Sequence, residues 1–298
     1  MKRVALGLAA AALLGLGRAR ACSCSGQGPA SALTRPDQTW GVRVSERLVL
    51  GQGAFNAHGD YAAFAPGEHD RTVEYVLLTA YRWQRLELAG TVSYGARVAA
   101  LSGEAARTTG FGDTTLRLRY EAANEPEMWQ TGLSGMYPAL AMLASLRLPT
   151  ARATGLTPRG IGAVEAALGV VLERSFARSF RMALLTEIAG RLPDTTLGET
   201  RRLGPRASAE FTLSYFATPD VVVSALIGVR WEGNVNVRQR TQSGTAQRTT
   251  EIGAALSWQP WSNPFRAGLA ERYAPPLDVL GANTTQSATS ELWLAYVR

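Results

Sequence analysis

Residues 206–217 read RASAEFTLSYFA, and the order of those side chains decides the architecture. One face of an extended chain collects Ala207, Ala209, Phe211, Leu213 and Tyr215, and the other collects Arg206, Ser208, Glu210, Thr212 and Ser214. A helix advances about 100° per residue and would scatter both sets around its circumference, whereas a strand changes face at every residue. Residues 112–122 obey the same rule, with Thr114, Leu116, Leu118 and Tyr120 against Asp113, Thr115, Arg117, Arg119 and Glu121. So do 86–98, with Leu86, Leu88, Val92 and Tyr94 against Glu87, Thr91, Ser93 and Arg97, and 248–259, with Ile252, Ala254, Leu256 and Trp258 against Thr249, Glu251, Ser257 and Gln259. Long strands with one greasy and one wet face belong between hydrocarbon and water.

The same pattern predicts strands at 39–51, 70–82, 86–98, 112–123, 137–149, 161–173, 180–192, 205–217, 220–233, 247–259, 264–274 and 288–298. The expected fold is therefore all-β, a single transmembrane antiparallel barrel of about 12 strands. The connectors at 83–85, 174–179, 218–219 and 260–263 are short. Those at 52–69, 99–111, 150–160, 193–204, 234–246 and 275–287 are long, and only 124–136 breaks the alternation. Short turns at one end and long loops at the other are the organisation of an outer-membrane barrel, with the long loops outside. The Ala- and Leu-rich segments 139–148, 162–172 and 182–188 also admit a helical reading, but helices there would leave an open sheet edge in lipid.

Aromatic residues prefer the membrane interface. Trp40, Tyr81, Trp83, Tyr120, Phe180, Tyr215, Trp258, Phe265 and Tyr296 all fall on the apolar face at short-turn ends, and Tyr94, Trp231 and Tyr273 form a sparser ring near the long loops.

The chain has 298 residues, 18% of them charged. The 31 basic residues include a single lysine, Lys2, and four of them (Lys2, Arg3, Arg18 and Arg20) lie in an acid-free first 21 residues, which leaves 27 basic against 24 acidic beyond. With no basic patch left, a nucleic-acid partner is not expected. The first 21 residues read as a signal peptide: basic Lys2-Arg3, an apolar run from Val4 to Gly17, and Ala19-Arg20-Ala21 as a cleavage site. Residues 22–38 read as a flexible Cys/Ser/Gly/Pro leader, and 39–298 as the barrel. Cys22 and Cys24 leave three readings: thiolates for a soft metal, acylation of Cys22, or an inert leader. Arg20 before Ala21 makes a poor lipobox, which favours ordinary cleavage.

Twelve strands leave the state of the bore to the inward side chains. Arg43, Arg47, Arg97, Asp113, Arg117, Arg119, Glu121, Arg147, Glu165, Glu187, Glu210 and Arg230 are expected to line the lumen, with Arg117 and Arg119 as an anion-favouring constriction. Balanced charges of this kind either pair into a closed network or border a polar path. Small inward residues such as Gly95, Ala141, Ala167, Gly169, Ala183 and Gly228 leave room for passage.

Catalytic signatures are absent: there is no Gly-x-Ser-x-Gly, His-Glu-x-x-His or Cys-x-x-Cys. His58 and His69 share one outer loop with Asp60, Glu68 and Asp70, a setting for a solvated loop more than for a metal site or a hydrolytic pair. No enzyme activity and no cofactor are expected. The reading is a passive channel or transporter for small solutes, hydrophobic ones included. Its expected partners are outer-membrane lipid, the barrel-insertion machinery and an unidentified small solute. A closed barrel displaying its outer loops for structure or adhesion is the alternative, and a surface hydrolase the third.

The stretch from Gly110 to Tyr120, GFGDTTLRLRY, followed by Leu140 to Thr150, LAMLASLRLPT, resembles the outer-membrane transporter family labelled for the meta-pathway of phenol degradation. That family shows a Gly-x-Gly-Asp opening a strand that ends in a basic-x-Tyr, then an apolar strand ending in Leu-Pro-Thr-Gly; here Ala151 stands for the final Gly. The resemblance implies a bacterial outer-membrane barrel passing small molecules and supplies no catalytic residues. The last strand alternates through Leu292, Leu294 and Tyr296, but the chain ends in Arg298 where an aromatic residue is usual.

Overall fold

The computed structural model describes residues 33–34, 37–101, 103–123, 138–151, 159–176, 179–196, 199–260, 263–278 and 280–298. The segment expected to target the chain, Cys22, Cys24 and the connector expected at 124–136 lie outside them. Twelve antiparallel strands form the wall: β1 (Trp40–Phe55), β2 (His69–Trp83), β3 (Leu86–Leu101), β4 (Glu104–Phe111 continuing as Thr114–Ala123), β5 (Ala139–Leu148), β6 (Glu165–Phe176), β7 (Phe180–Arg191), β8 (Arg206–Phe216), β9 (Val221–Glu232), β10 (Gln247–Trp258), β11 (Phe265–Tyr273) and β12 (Thr284–Val297). Each pairs with its neighbour in the chain, and β12 returns to β1 with Val297 opposite Gly41 and Thr284 opposite Phe55. Closure satisfies the backbone groups of every strand and removes the edges that hydrocarbon cannot accept.

The segments with a helical alternative are strands: β5, β6 and β7 pair continuously, with Leu143 opposite Gly169 and Leu168 opposite Ile188. One connector is corrected. The outer loop expected at 99–111 is strand instead, because β3 runs on to Leu101 and β4 begins at Glu104. The tight turn between them holds Gly103 at φ +82°, a left-handed conformation that a side chain would strain. β4 then breaks at Gly112-Asp113, where the Gly112 N–H donates to the Ser93 carbonyl at 2.8 Å. A Cβ on Gly112 would lie 2.1 Å from Ser93 Oγ, so glycine lets the strand re-enter the sheet.

Outward rows carry the apolar side chains. Leu168, Ile188 and Leu292 are more than 60% exposed, and aromatic residues of the short-turn ring pack as tilted pairs, with Trp40–Tyr296 and Phe180–Tyr215 centroids 5.3 and 5.0 Å apart. A belt of that kind is stable against hydrocarbon and not against water. Val76, Leu143, Val171, Leu226 and Trp293 point inward and are buried. At the long-loop end, Asp194–Thr196, Glu199–Arg202, Asn236–Val237 and Arg240–Thr241 pair into a small separate sheet.

Candidate solute path

The inward rows hold arginines and carboxylates from different strands, which the barrel brings together in layers. At the short-turn end, Arg82 of β2 donates to Glu121 of β4 at 3.0 Å and lies 3.8 Å from Glu87 of β3. Arg119 stands 3.7 Å from Glu121 and 3.5 Å from Glu173. All five side chains are at most 5% exposed. Two leader residues sit among them. The Leu33 and Thr34 N–H groups donate to the Glu87 carboxylate at 3.3 and 3.0 Å, and Arg82 donates to the Thr34 carbonyl and hydroxyl at 3.0 Å each. Arg266 of β11 donates to the Leu33 carbonyl at 3.0 Å and to Gln38 at 2.6 Å. The leader is thereby tied to the inner wall from β2, β3 and β11.

Toward the long loops a second layer forms. Arg191 donates to Glu165 and to Glu232, both at 2.6 Å, while Arg206 donates to Glu165 at 3.0 Å and to Glu187. Arg230 lies 3.8 Å from Glu232. Across the closing seam, Arg43 and Arg47 share Glu291, and Arg159 from the loop before β6 reaches Glu74 at 3.2 Å. Arg97 pairs with Asp70 at 2.7 Å, and Arg272 with Glu210 at 2.9 Å. Arg147 pairs with Asp113 at 3.0 Å, and the same carboxylate accepts the Ala151 and Ile161 N–H groups, so Asp113 anchors an outer loop to the wall.

Arg117 and Arg119 occupy one inner face of β4 but meet different surroundings. Arg119 belongs to the carboxylate layer at the short-turn end. Arg117, two residues back along the same face, stands instead between Ala89 of β3 and Ser145 of β5.

On β5, β6 and β7 a patch of inward apolar side chains lies beside Arg119 and Glu187, which are in register with Leu143 and Gly169. Ala141, Leu143 and Val171 pack as one buried cluster with Leu185 against it, flanked by Ala167 and Ala189. Across the barrel Leu226 and Trp293 also face inward, and the Arg43 guanidinium lies 4.9 Å from the Trp293 ring centre. Sequence reasoning missed Leu33, Thr34, Arg159, Arg272 and Trp293. The Trp293 position is readable from its alternation with Glu291, but nothing in the leader's composition marks Thr34 as a ligand of the wall.

His58 lies in a turn where its N–H donates to Asn56 at 2.9 Å, while His69 opens β2 with its ring 3.3 Å from the Gly67 carbonyl. Among the described residues no three His, Cys, Asp or Glu side chains gather as metal ligands.

No family model matches this chain, and no curated protein does either. Solved structures do. It is similar to an outer-membrane channel from Pseudomonas putida F1, at 14% identity over 88% of this chain and 96% of that one, with a TM-score of 0.73. It is also similar to the translocator domain of the autotransporter NalP from Neisseria meningitidis, at 13% identity over 97% of each chain and a TM-score of 0.50. The β domain of the Bordetella autotransporter BrkA gives 11% identity over 87% of this chain and all of that one, with a TM-score of 0.50. At such identities the likeness is one of fold. The chain has the fold of an outer-membrane barrel.

Proposed function

We propose that this protein is a passive channel of the bacterial outer membrane, exported through residues 1–21, with a narrow path for small solutes that are at least partly apolar. The observation that carries the reading is the inner wall itself. Beside its paired charged groups the inward face carries an apolar belt of Ala141, Leu143, Val171 and Leu185 on β5–β7, which a wall built for charge pairing alone does not need. Such a belt offers a solute a weak, non-directional surface, and the charged layers orient it without holding it fast. Thr34, held by Glu87 and Arg82 at the short-turn mouth, puts the control of passage at that end of the barrel.

The test is uptake into vesicles carrying the mature chain, with small aromatic alcohols compared with sugars of similar size. Passage of the aromatic solutes is expected to exceed that of the sugars, and the double variant Leu143→Gln with Leu185→Gln to abolish the difference. Equal passage of both classes by the unaltered chain would contradict an apolar path. The density of buried ion pairs favours the second reading, a closed platform displaying its outer loops, and that reading requires no passage of either class.

A further inference from the structure

On the outward face of β2, β3 and β4 the registers stack the side chains in rows. Tyr75, Tyr94 and Phe111 stand side by side, with the Tyr94 and Phe111 rings 5.3 Å apart at a steep angle. Val73, Ala96 and Thr109 form the next row toward the long loops, and Arg71, Val98 and Arg107 the one after. Arg71 and Arg107 are exposed, and neither has an ion pair or hydrogen bond among the described residues. Inside the barrel the pattern is the reverse, since Arg43, Arg97, Arg147, Arg191, Arg206 and Arg272 all meet carboxylates.

Position gives these two arginines a ligand. Aromatic rows sit where acyl chains give way to headgroups. Four residues further along a strand is about 13 Å, or about 10 Å along the membrane normal at a tilt of roughly 40°, which is the level of lipid phosphates. Strands two apart are separated by about 10 Å, and the small Val98 between them lets two guanidiniums lean toward one another. Arginine's fork matches the paired oxygens of a phosphate.

We propose that Arg71 and Arg107 clasp the phosphate headgroup of an acidic lipid in the outer leaflet, whose acyl chains lie along Tyr75, Tyr94 and Phe111. The inference rests on the reading of the chain as a membrane-spanning barrel with its long loops outside.

The test uses the full mature chain in zwitterionic vesicles doped with a bisphosphorylated glycolipid or with its dephosphorylated form, followed by native mass spectrometry of the extracted barrel. The phosphorylated lipid is expected to stay bound and the dephosphorylated form to wash away. Arg71→Gln with Arg107→Gln is expected to lower retention by about tenfold or more, and each single variant to give part of that loss. Arg202→Gln with Arg240→Gln, on the separate outer sheet, is expected to change nothing. Equal retention of the two lipids, retention by the double variant within twofold of the unaltered chain, or complete displacement by equimolar inorganic phosphate would each overturn the proposal. Heat-modifiable migration in gels reports insertion separately, so a barrel that inserts without lipid preference contradicts only this inference, and one that fails to insert contradicts the channel reading.

Discussion

Thr34 and Glu87 are 53 residues apart in sequence, yet both the backbone N–H and the hydroxyl of Thr34 donate to the same Glu87 oxygen. Arg82 closes the arrangement by donating from its Nε to the Thr34 hydroxyl at 3.0 Å. One threonine thus joins the leader to an acid on β3 and a base on β2, with all three buried.

Removing the Thr34 hydroxyl while keeping its shape should loosen that joint. Thr34→Val deletes hydrogen bonds to two charged groups, each worth about 1.5–3 kcal/mol. Losing even the weaker of the two shifts the ratio of seated to released leader by roughly tenfold. Single-channel recording should register this as more frequent or longer openings, and an unchanged open fraction would mean that the leader does not govern the path.

In the outer layer Glu165 accepts from both Arg191 and Arg206, and its side chain is 5% exposed. Glu165→Gln leaves two inward guanidiniums short of charge and is expected to destabilise the barrel by about 3–5 kcal/mol, read as a lower midpoint for the loss of the fast-migrating form on heating. Glu165→Leu combined with Arg191→Leu is expected to cost less than Glu165→Gln alone, because it leaves fewer charges unmatched. A double variant as damaged as the sum of its singles would contradict an interacting pair.

Two carboxylates interrupt the lipid-facing rows. Glu46 lies opposite Tyr75 and Leu292 on outward-facing β1, with Val44 and Leu48 on either side of it in the row. Glu271 stands outward on β11 and accepts the Ser290 hydroxyl at 2.7 Å. Within hydrocarbon a carboxylate is unfavourable by an amount that grows with depth, so Glu46→Leu is expected to stabilise the barrel by about 1 kcal/mol in vesicle refolding titrations. Val44→Arg on the same row should destabilise it by about 2–4 kcal/mol. A destabilising Glu46→Leu together with a neutral or stabilising Val44→Arg would contradict the placement of this row in lipid.

Much of this architecture was legible because burial on one side and lipid on the other force a period of two, as in β8, where exposure alternates with burial from Phe211 to Tyr215. Legibility fails where that forcing stops. The outward row Ala105, Arg107 and Thr109 rises beyond the aromatic ring, so β4 loses its apolar stripe there and 99–111 reads as loop although it is paired strand. The inward positions of Arg119, Glu165 and Arg191 follow from the same alternation. Which acid each base meets does not, because partners such as Arg191 and Glu232 come from strands that closure and shear bring together, 41 residues apart. The leader's hold on Glu87 has no periodic trace at all, since Leu33 and Thr34 in an irregular segment carry it.

The most direct test of the channel reading is ion conductance of the folded mature chain in a planar bilayer, with and without residues 22–38. The account predicts discrete steps that are infrequent in the full chain and frequent once the leader is removed, with Thr34→Val in between. Silence from both forms, after insertion has been verified, would contradict a path through the barrel and leave the closed platform.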